Sequence, residues 1–176
     1  KTVTQVGGNG NEAAFNELKT LQGVNTYEVT SVEELNEALA KADANDIINV
    51  RSLNGVSRNS KIEISTKNTV TINLYDEVEE SVVVDVVNGT VVAHGELDSI
   101  DIKGGDLVIN GTVGTVNVVG TAEVTVSEGA TVNKVEVSEN ASGTVVKNEG
   151  TIENVVSNAP GVNVENNGTV GNVSGT

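Results

Sequence analysis

The chain has 176 residues, no cysteine or methionine, three aromatic residues (Phe15, Tyr27 and Tyr75), 34 valines and 19 glycines. That composition excludes disulfide and thiolate chemistry, and it disfavours a globule filled with Phe, Leu and Met. A net charge of −15, with only Lys134 and Lys147 as basic residues after position 103, leaves no basic face for nucleic acid or anionic membranes.

Residues 1–10 read as a lead-in, and Asn11 to Leu21 as a short helix with Ala14, Leu18 and Leu21 on one face. A second helix is expected over Val32 to Ala42. Ser31 with Glu34 makes a capping box, and Leu35, Ala38, Leu39 and Ala42 repeat at helical spacing. Three alternating runs follow as strands: Ile48-x-Val50, Ile62-x-Ile64 and Val70-x-Ile72-x-Leu74. The region 1–60 is thus expected to be an N-terminal cap, and 61–176 an array of rungs.

From about residue 82 the chain is periodic. An apolar-x-x-apolar step recurs as Leu97/Ile100, Val113/Val116, Val132/Val135, Ile152/Val155 and Val170/Val173. A second apolar pair lies upstream of each: Val91/Ala93, Leu107/Ile109, Val124/Val126, Thr144/Val146 and Val162/Val164. Glycine precedes each step (Gly95, Gly111, Gly129, Gly150 and Gly168), where it is expected to supply the left-handed backbone of a sharp corner. One rung cannot bury its own pairs, but stacked rungs form a continuous aliphatic column. The expected fold is all-β: a parallel β-helix, or β-solenoid, with an N-terminal α/β cap.

The Ser-capped helix in TSVEELNEALAKADANDIINV (30–50), followed by short strands and Val/Gly/Asn-rich rungs, resembles the pectate-lyase-like right-handed β-helices of Gram-positive cell-surface proteins. The resemblance spans roughly residues 28–176. It implies a right-handed coil plugged by the helix, and an extracellular, cell-surface setting. The family holds both polysaccharide-degrading enzymes and inert stalks, so fold does not settle activity.

Outward columns Asp101/Asn117/Glu136/Val156/Ser174 and Asp98/Gly114/Asn133/Glu153/Gly171 mix acids with amides, glycine and valine, and no Arg or Lys is expected opposite them. His94, the single histidine, has no partner at readable spacing. Calcium is the one cofactor to which the acids point, through Asp76, Glu77, Glu79 and Glu80, with Asp98, Asp101 and Asp106 further on. The nonapeptide calcium-coil pattern is absent, and these acids read as a solvated loop. The threonine file Thr112, Thr131, Thr151 and Thr169 lacks the second parallel file of an ice-binding surface. Asn-x-Ser/Thr triplets at Asn88, Asn110, Asn140, Asn167 and Asn172 read as corner turns.

No catalytic, cofactor-binding or metal residue is assigned. The expectation is a non-catalytic extracellular module (stalk, spacer or adhesin segment) of a bacterial surface protein, with cell-wall or host glycans or neighbouring domains as partners. The alternative is a carbohydrate-binding or carbohydrate-degrading β-helix. The chain stops in mid-rung after Val173, so further rungs or a covering domain are expected beyond Thr176.

Overall fold

The computed structural model describes residues 23–54, 61–66, 68–75 and 78–175. The expected helix at Asn11 to Leu21 lies outside them. Thirteen strands form one parallel sheet wound into a β-solenoid of about 7 turns. They are β1 (Thr26–Ser31), β2 (Ile47–Asn54), β3 (Lys61–Thr66), β4 (Thr71–Leu74), β5 (Val78–Ala93), β6 (Glu96–Ile109), β7 (Thr112–Val118), β8 (Glu123–Val126), β9 (Thr131–Val137), β10 (Val145–Asn148), β11 (Thr151–Ser157), β12 (Asn163–Asn166) and β13 (Thr169–Gly175). One helix, α1 (Val32–Lys41), caps the N-terminal side. No helix among the described residues is long and apolar enough to cross a membrane.

The anchor columns stack as expected. Leu97, Val113, Val132, Ile152 and Val170 pair in register from rung to rung. Ile100, Val116, Val135, Val155 and Val173 do the same beside them. Val113, Val132 and Ile152 are fully buried, whereas Val170 is half-buried. Val173 is 65% exposed because β13 has no described strand beyond it. The x-x step marks a bend: the ladder between β11 and β13 pairs Ile152 with Val170, then resumes at Asn154 and Asn172. Skipping one residue there lets two apolar side chains three apart both face inward.

The second column follows the pattern with one correction. Val91, Leu107 and Val124 stack, as do Ala93, Ile109 and Val126. The next two rungs are displaced by two residues from the Thr144/Val146 and Val162/Val164 alignment, so Val146 and then Val164 lie over Val124, and Asn148 and then Asn166 over Val126. The column therefore changes from aliphatic to amide. Asn148 is 1% exposed and donates from Nδ2 to Asn166 Oδ1 at 2.7 Å and to the Thr169 carbonyl at 2.9 Å. Its own Oδ1 is the buried side-chain atom left without a partner among the described residues. Thr144 is not a core-strand residue but a buried corner hydroxyl, donating to the Ala141 carbonyl at 2.8 Å.

Corner glycines divide into two kinds, which corrects the single reading above. Gly129 has φ +83° and open space around a notional Cβ, as left-handed backbone requires. At Gly111, by contrast, a Cβ would lie 2.1 Å from the Gly95 carbonyl oxygen, so glycine is needed for close approach of successive corners. Variable corners absorb the unequal rung lengths, as surface turns do.

At the N-terminal side the Ser31 hydroxyl accepts from the Glu34 N–H at 3.2 Å. The Glu34 carboxylate reaches back one residue further than a standard box, accepting from the Thr30 N–H at 2.7 Å. Leu35, Ala38 and Ala42 are buried, while Leu39 is only half-buried. The parallel ladder begins already at β1, whose residues pair with β2, which pairs with β4. Stacking thus starts before residue 61.

Candidate functional site

Alternation along a strand sends successive side chains to opposite faces. The residue just after each inner pair therefore points outward at the end of its strand. Register puts seven such residues in one axial file: Arg51, Tyr75, His94, Asn110, Ser127, Glu149 and Asn167. Their backbones are tied by Tyr75 N–H to Val50 O, His94 N–H to Leu74 O, Asn110 N–H to Ala93 O, Ser127 N–H to Ile109 O, Glu149 N–H to Val126 O and Asn167 N–H to Asn148 O. Asn49 and Asn73 occupy the outward positions two residues before Arg51 and Tyr75, paired in register.

Side chains in this file bond to one another along the axis. Ser127 Oγ donates to Asn110 Oδ1 at 2.6 Å. Asn110 Nδ2 lies 3.4 Å from His94 Nδ1, and His94 Nε2 lies 3.2 Å from Asn73 Oδ1. Asn73 Nδ2 donates to Asn49 Oδ1 at 2.9 Å, and Asn49 Nδ2 donates to Glu28 Oε1 at 2.8 Å. The second oxygen of Glu28 accepts from Arg51 Nε at 2.8 Å. The Arg51 guanidinium sits over the Tyr75 ring, 4.2 Å from its centroid. The other side of the stack is His94, with ring centroids 4.5 Å apart and planes 8° from parallel. Hydrogen bonds first from Arg51 and then from Asn49 hold the Glu28 carboxyl below the usual carboxylate range.

His94 was expected to stand without a partner, and the structure corrects this: it has two side-chain partners and a stacked ring. None was legible by spacing, because Asn73 is 21 residues before it and Asn110 is 16 after it. The signal that was present is positional: each of these residues follows an inner pair, as in Ala93-His94 and Ile109-Asn110.

The outward acids and amides are distributed rather than convergent. Asp101 accepts from Asn117 Nδ2 at 2.7 Å on the next rung. Glu136 lies in the same file, and Lys134 holds it in an ion pair. Lys147 likewise holds Glu123 at 2.9 Å. Lys134 corrects the expectation that no base stands opposite the acids of these columns. Asp106 pairs in register with Glu123. Burial, then the Glu123 charge, pushes its carboxyl above the usual range, against the pull of Lys147.

Among the acids read for calcium, Asp76 and Glu77 and the side chains of Glu79 and Glu80 lie outside the described residues. Asp101 and Asp106 pair with different strands of the following rung. No group of three or more metal-ligating acids or histidines occurs among the described residues. The threonine file is continuous in register through Thr112, Thr131, Thr151 and Thr169, with Glu96 as its next member towards the N-terminus. Of the Asn-x-Ser/Thr positions, Asn110 belongs to the axial file, and Asn172 donates to Asn154 Oδ1 at 3.1 Å.

The helix α1 and strand β1 bound an open groove of about 400 Å³, with Tyr27, Glu28, Glu34, Glu37 and Lys41 in its wall. Its polar groups are largely engaged: Glu37 pairs with Lys41 at 3.1 Å, and Glu34 and Glu28 hold the bonds given above. No family model, curated protein or solved structure matches this chain.

Proposed function

We propose that the chain is a non-catalytic structural module, a stalk or spacer segment of an extracellular bacterial surface protein, built as a pectate-lyase-like right-handed β-helix. One observation carries the reading: its outward polar groups bond along the axis to polar groups in neighbouring rungs. Glu28, Asn49, Asn73, His94, Asn110 and Ser127 do so across six turns, and Asp101 with Asn117 and Asn154 with Asn172 do so on another face. A binding or catalytic surface needs donors and acceptors aimed at a ligand; here they are consumed by the scaffold. About 7 turns at about 4.8 Å give a rod of roughly 34 Å, and length is what a spacer supplies.

The second reading, a carbohydrate-binding β-helix, draws on Tyr75, an aromatic residue that is 39% exposed beside amides and Arg51. Against it, Arg51 and His94 occupy both sides of the ring, so no face is left on which a sugar could stack. A glycan array probed with and without calcium tests the two. The spacer reading expects no ligand above background in either condition. Selective binding that Tyr75→Ala abolishes would overturn it in favour of the carbohydrate reading.

A further inference from the structure

The axial file has a direction. An amide nitrogen only donates and an amide oxygen only accepts. Asn110 Nδ2 therefore requires a bare lone pair on His94 Nδ1, and Asn73 Oδ1 requires the proton on Nε2. With that tautomer every donor points the same way: Ser127 to Asn110, Asn110 to His94, His94 to Asn73, Asn73 to Asn49, and Asn49 to the Glu28 carboxylate. The chain of bonds is polarised end to end and terminates on an anion.

We propose that His94 is a proton-operated switch in this file, which reverses the segment on its C-terminal side while leaving the N-terminal side unchanged. A proton added at Nδ1 puts two donors face to face across the Asn110 contact. The least costly repair is for the Asn110 amide to turn over, since its terminal torsion is roughly two-fold. Asn110 Oδ1 then accepts from Nδ1–H, Asn110 Nδ2 donates to Ser127 Oγ, and the Ser127 hydroxyl proton swings out to solvent. One proton is taken up from water and no bond in the file is lost. The Nε2–H bond to Asn73 keeps its direction, so both arms now run outward from a charged ring.

The surroundings fix which groups sense the change. On the N-terminal side Tyr75 stacks on the ring, Arg51 lies beyond it and Glu28 closes the file. On the C-terminal side β6 brings Asn110 against the ring and carries Asp106, in register with Thr90, and the carboxylate-bearing Glu149 is the next member of the file after Ser127. Glu96, which is exposed, follows two residues along the chain. The file places the imidazolium across Tyr75 from Arg51, two cations on one aromatic ring, so protonation also weakens the Arg51 side of the stack.

The test exploits the fact that His94 is the only histidine, so its ring signals need no assignment. Long-range proton–nitrogen spectra of the labelled chain are expected to show the Nε2–H tautomer in the neutral form. As the solution is acidified until the ring takes up its second proton, the side-chain amide signals of Asn110 are expected to move in step with the ring signals. In His94→Gln the same amide signals should stay flat. An Nδ1–H tautomer in the neutral form, Asn110 signals that ignore the ring's titration, or an unchanged Asn110 response in His94→Gln would each overturn the proposal. The wild-type spectra decide alone should the variant fail to fold.

Discussion

Gly111 and Gly129 occupy equivalent corners, and replacing each with alanine should have unequal consequences. At Gly129 the backbone is left-handed and the space around a new Cβ is open. The cost is the left-handed penalty of about 1–2 kcal/mol, offset by about 0.4–1 kcal/mol of lost unfolded-state freedom. The net effect is about 1 kcal/mol or less. At Gly111 the new Cβ would meet the Gly95 oxygen at 2.1 Å and the His94 oxygen at 2.6 Å. Both are backbone atoms, so no side chain can move aside, and ordinary carbon–oxygen approach is about 3.3 Å or more.

The corner must open by about 1 Å to admit that methyl. The bonds it would disturb are Gly111 N–H to Ala93 O at 3.1 Å, Thr112 N–H to Gly95 O at 3.2 Å and Thr131 N–H to Gly111 O at 3.1 Å. Loss of two or three, at about 1 kcal/mol each, amounts to about 2–3 kcal/mol. With a urea slope of about 2 kcal/mol per molar, Gly111→Ala should lower the unfolding midpoint by about 1–1.5 M, and Gly129→Ala by about 0.5 M or less. Circular dichroism in urea measures both. Equal midpoints for the two variants would refute the division of these glycines into steric and conformational kinds.

Leu35→Asp should lower the melting temperature clearly, because Leu35 is fully buried between α1 and the sheet and an unpaired charge there is strongly disfavoured; an unchanged melting temperature would remove α1 from the stability of the fold. Val126→Asn should be milder than Val124→Asn by about 1–3 kcal/mol in urea unfolding, although both sites are fully buried. Only the amide at 126 lies beneath Asn148 and can donate to its unpartnered Oδ1, whereas Val124 lies beneath Val146. Stability should also depend on pH through two carboxyls of opposite sign. The Thr30 N–H and hydroxyl depress Glu34, so its contribution is present above the ordinary carboxylate range and is lost as pH falls through its folded value. Glu34→Gln should therefore be less stable than wild type at neutral pH, with the gap closing in acid. Asp106, although exposed, is raised by partial desolvation and then by the Glu123 charge, so Asp106→Asn should gain a little stability at neutral pH, and that gain should vanish below the ordinary carboxylate range.

The anchor columns were legible because their chemistry is repetitive: a β-branched or leucine side chain three residues from another, in every rung from Leu97 to Val173. The helix was legible through local signals alone, Ser31, Glu34 and the Leu35/Ala38 face. Its cap differs by one residue, since Glu34 bonds Thr30 rather than Ser31. What failed was the rung at 144–148. Pattern matching prefers an apolar residue at every inner position, and it slid the rung by two to avoid putting Asn148 inside. The structure does place Asn148 inside, because a ladder bond to Asn166 and another to the Thr169 carbonyl offset the burial of its amide nitrogen. A buried amide whose nitrogen is satisfied by its copy on the next rung looks, in one dimension, like a surface residue.

The axial file was illegible for a related reason. Each member is ordinary in its own rung: an asparagine at a corner, a serine before a turn, a lone histidine. Their significance lies in axial distances set by register, and register depends on corner lengths that vary from rung to rung. Between Leu107 and Val124 the shift is 17, and between Val124 and Val146 it is 22. The same columns explain why acids spread through the sequence do not gather into a site. A solenoid turns sequence neighbours onto different faces and brings together residues one rung apart, so a cluster such as Asp98, Asp101 and Asp106 is dispersed. Glu28, Asn49, Asn73 and His94, spread over 67 residues, become a continuous line of hydrogen bonds. Chemistry on this scaffold is therefore read down the axis, and it is there that the only histidine sits.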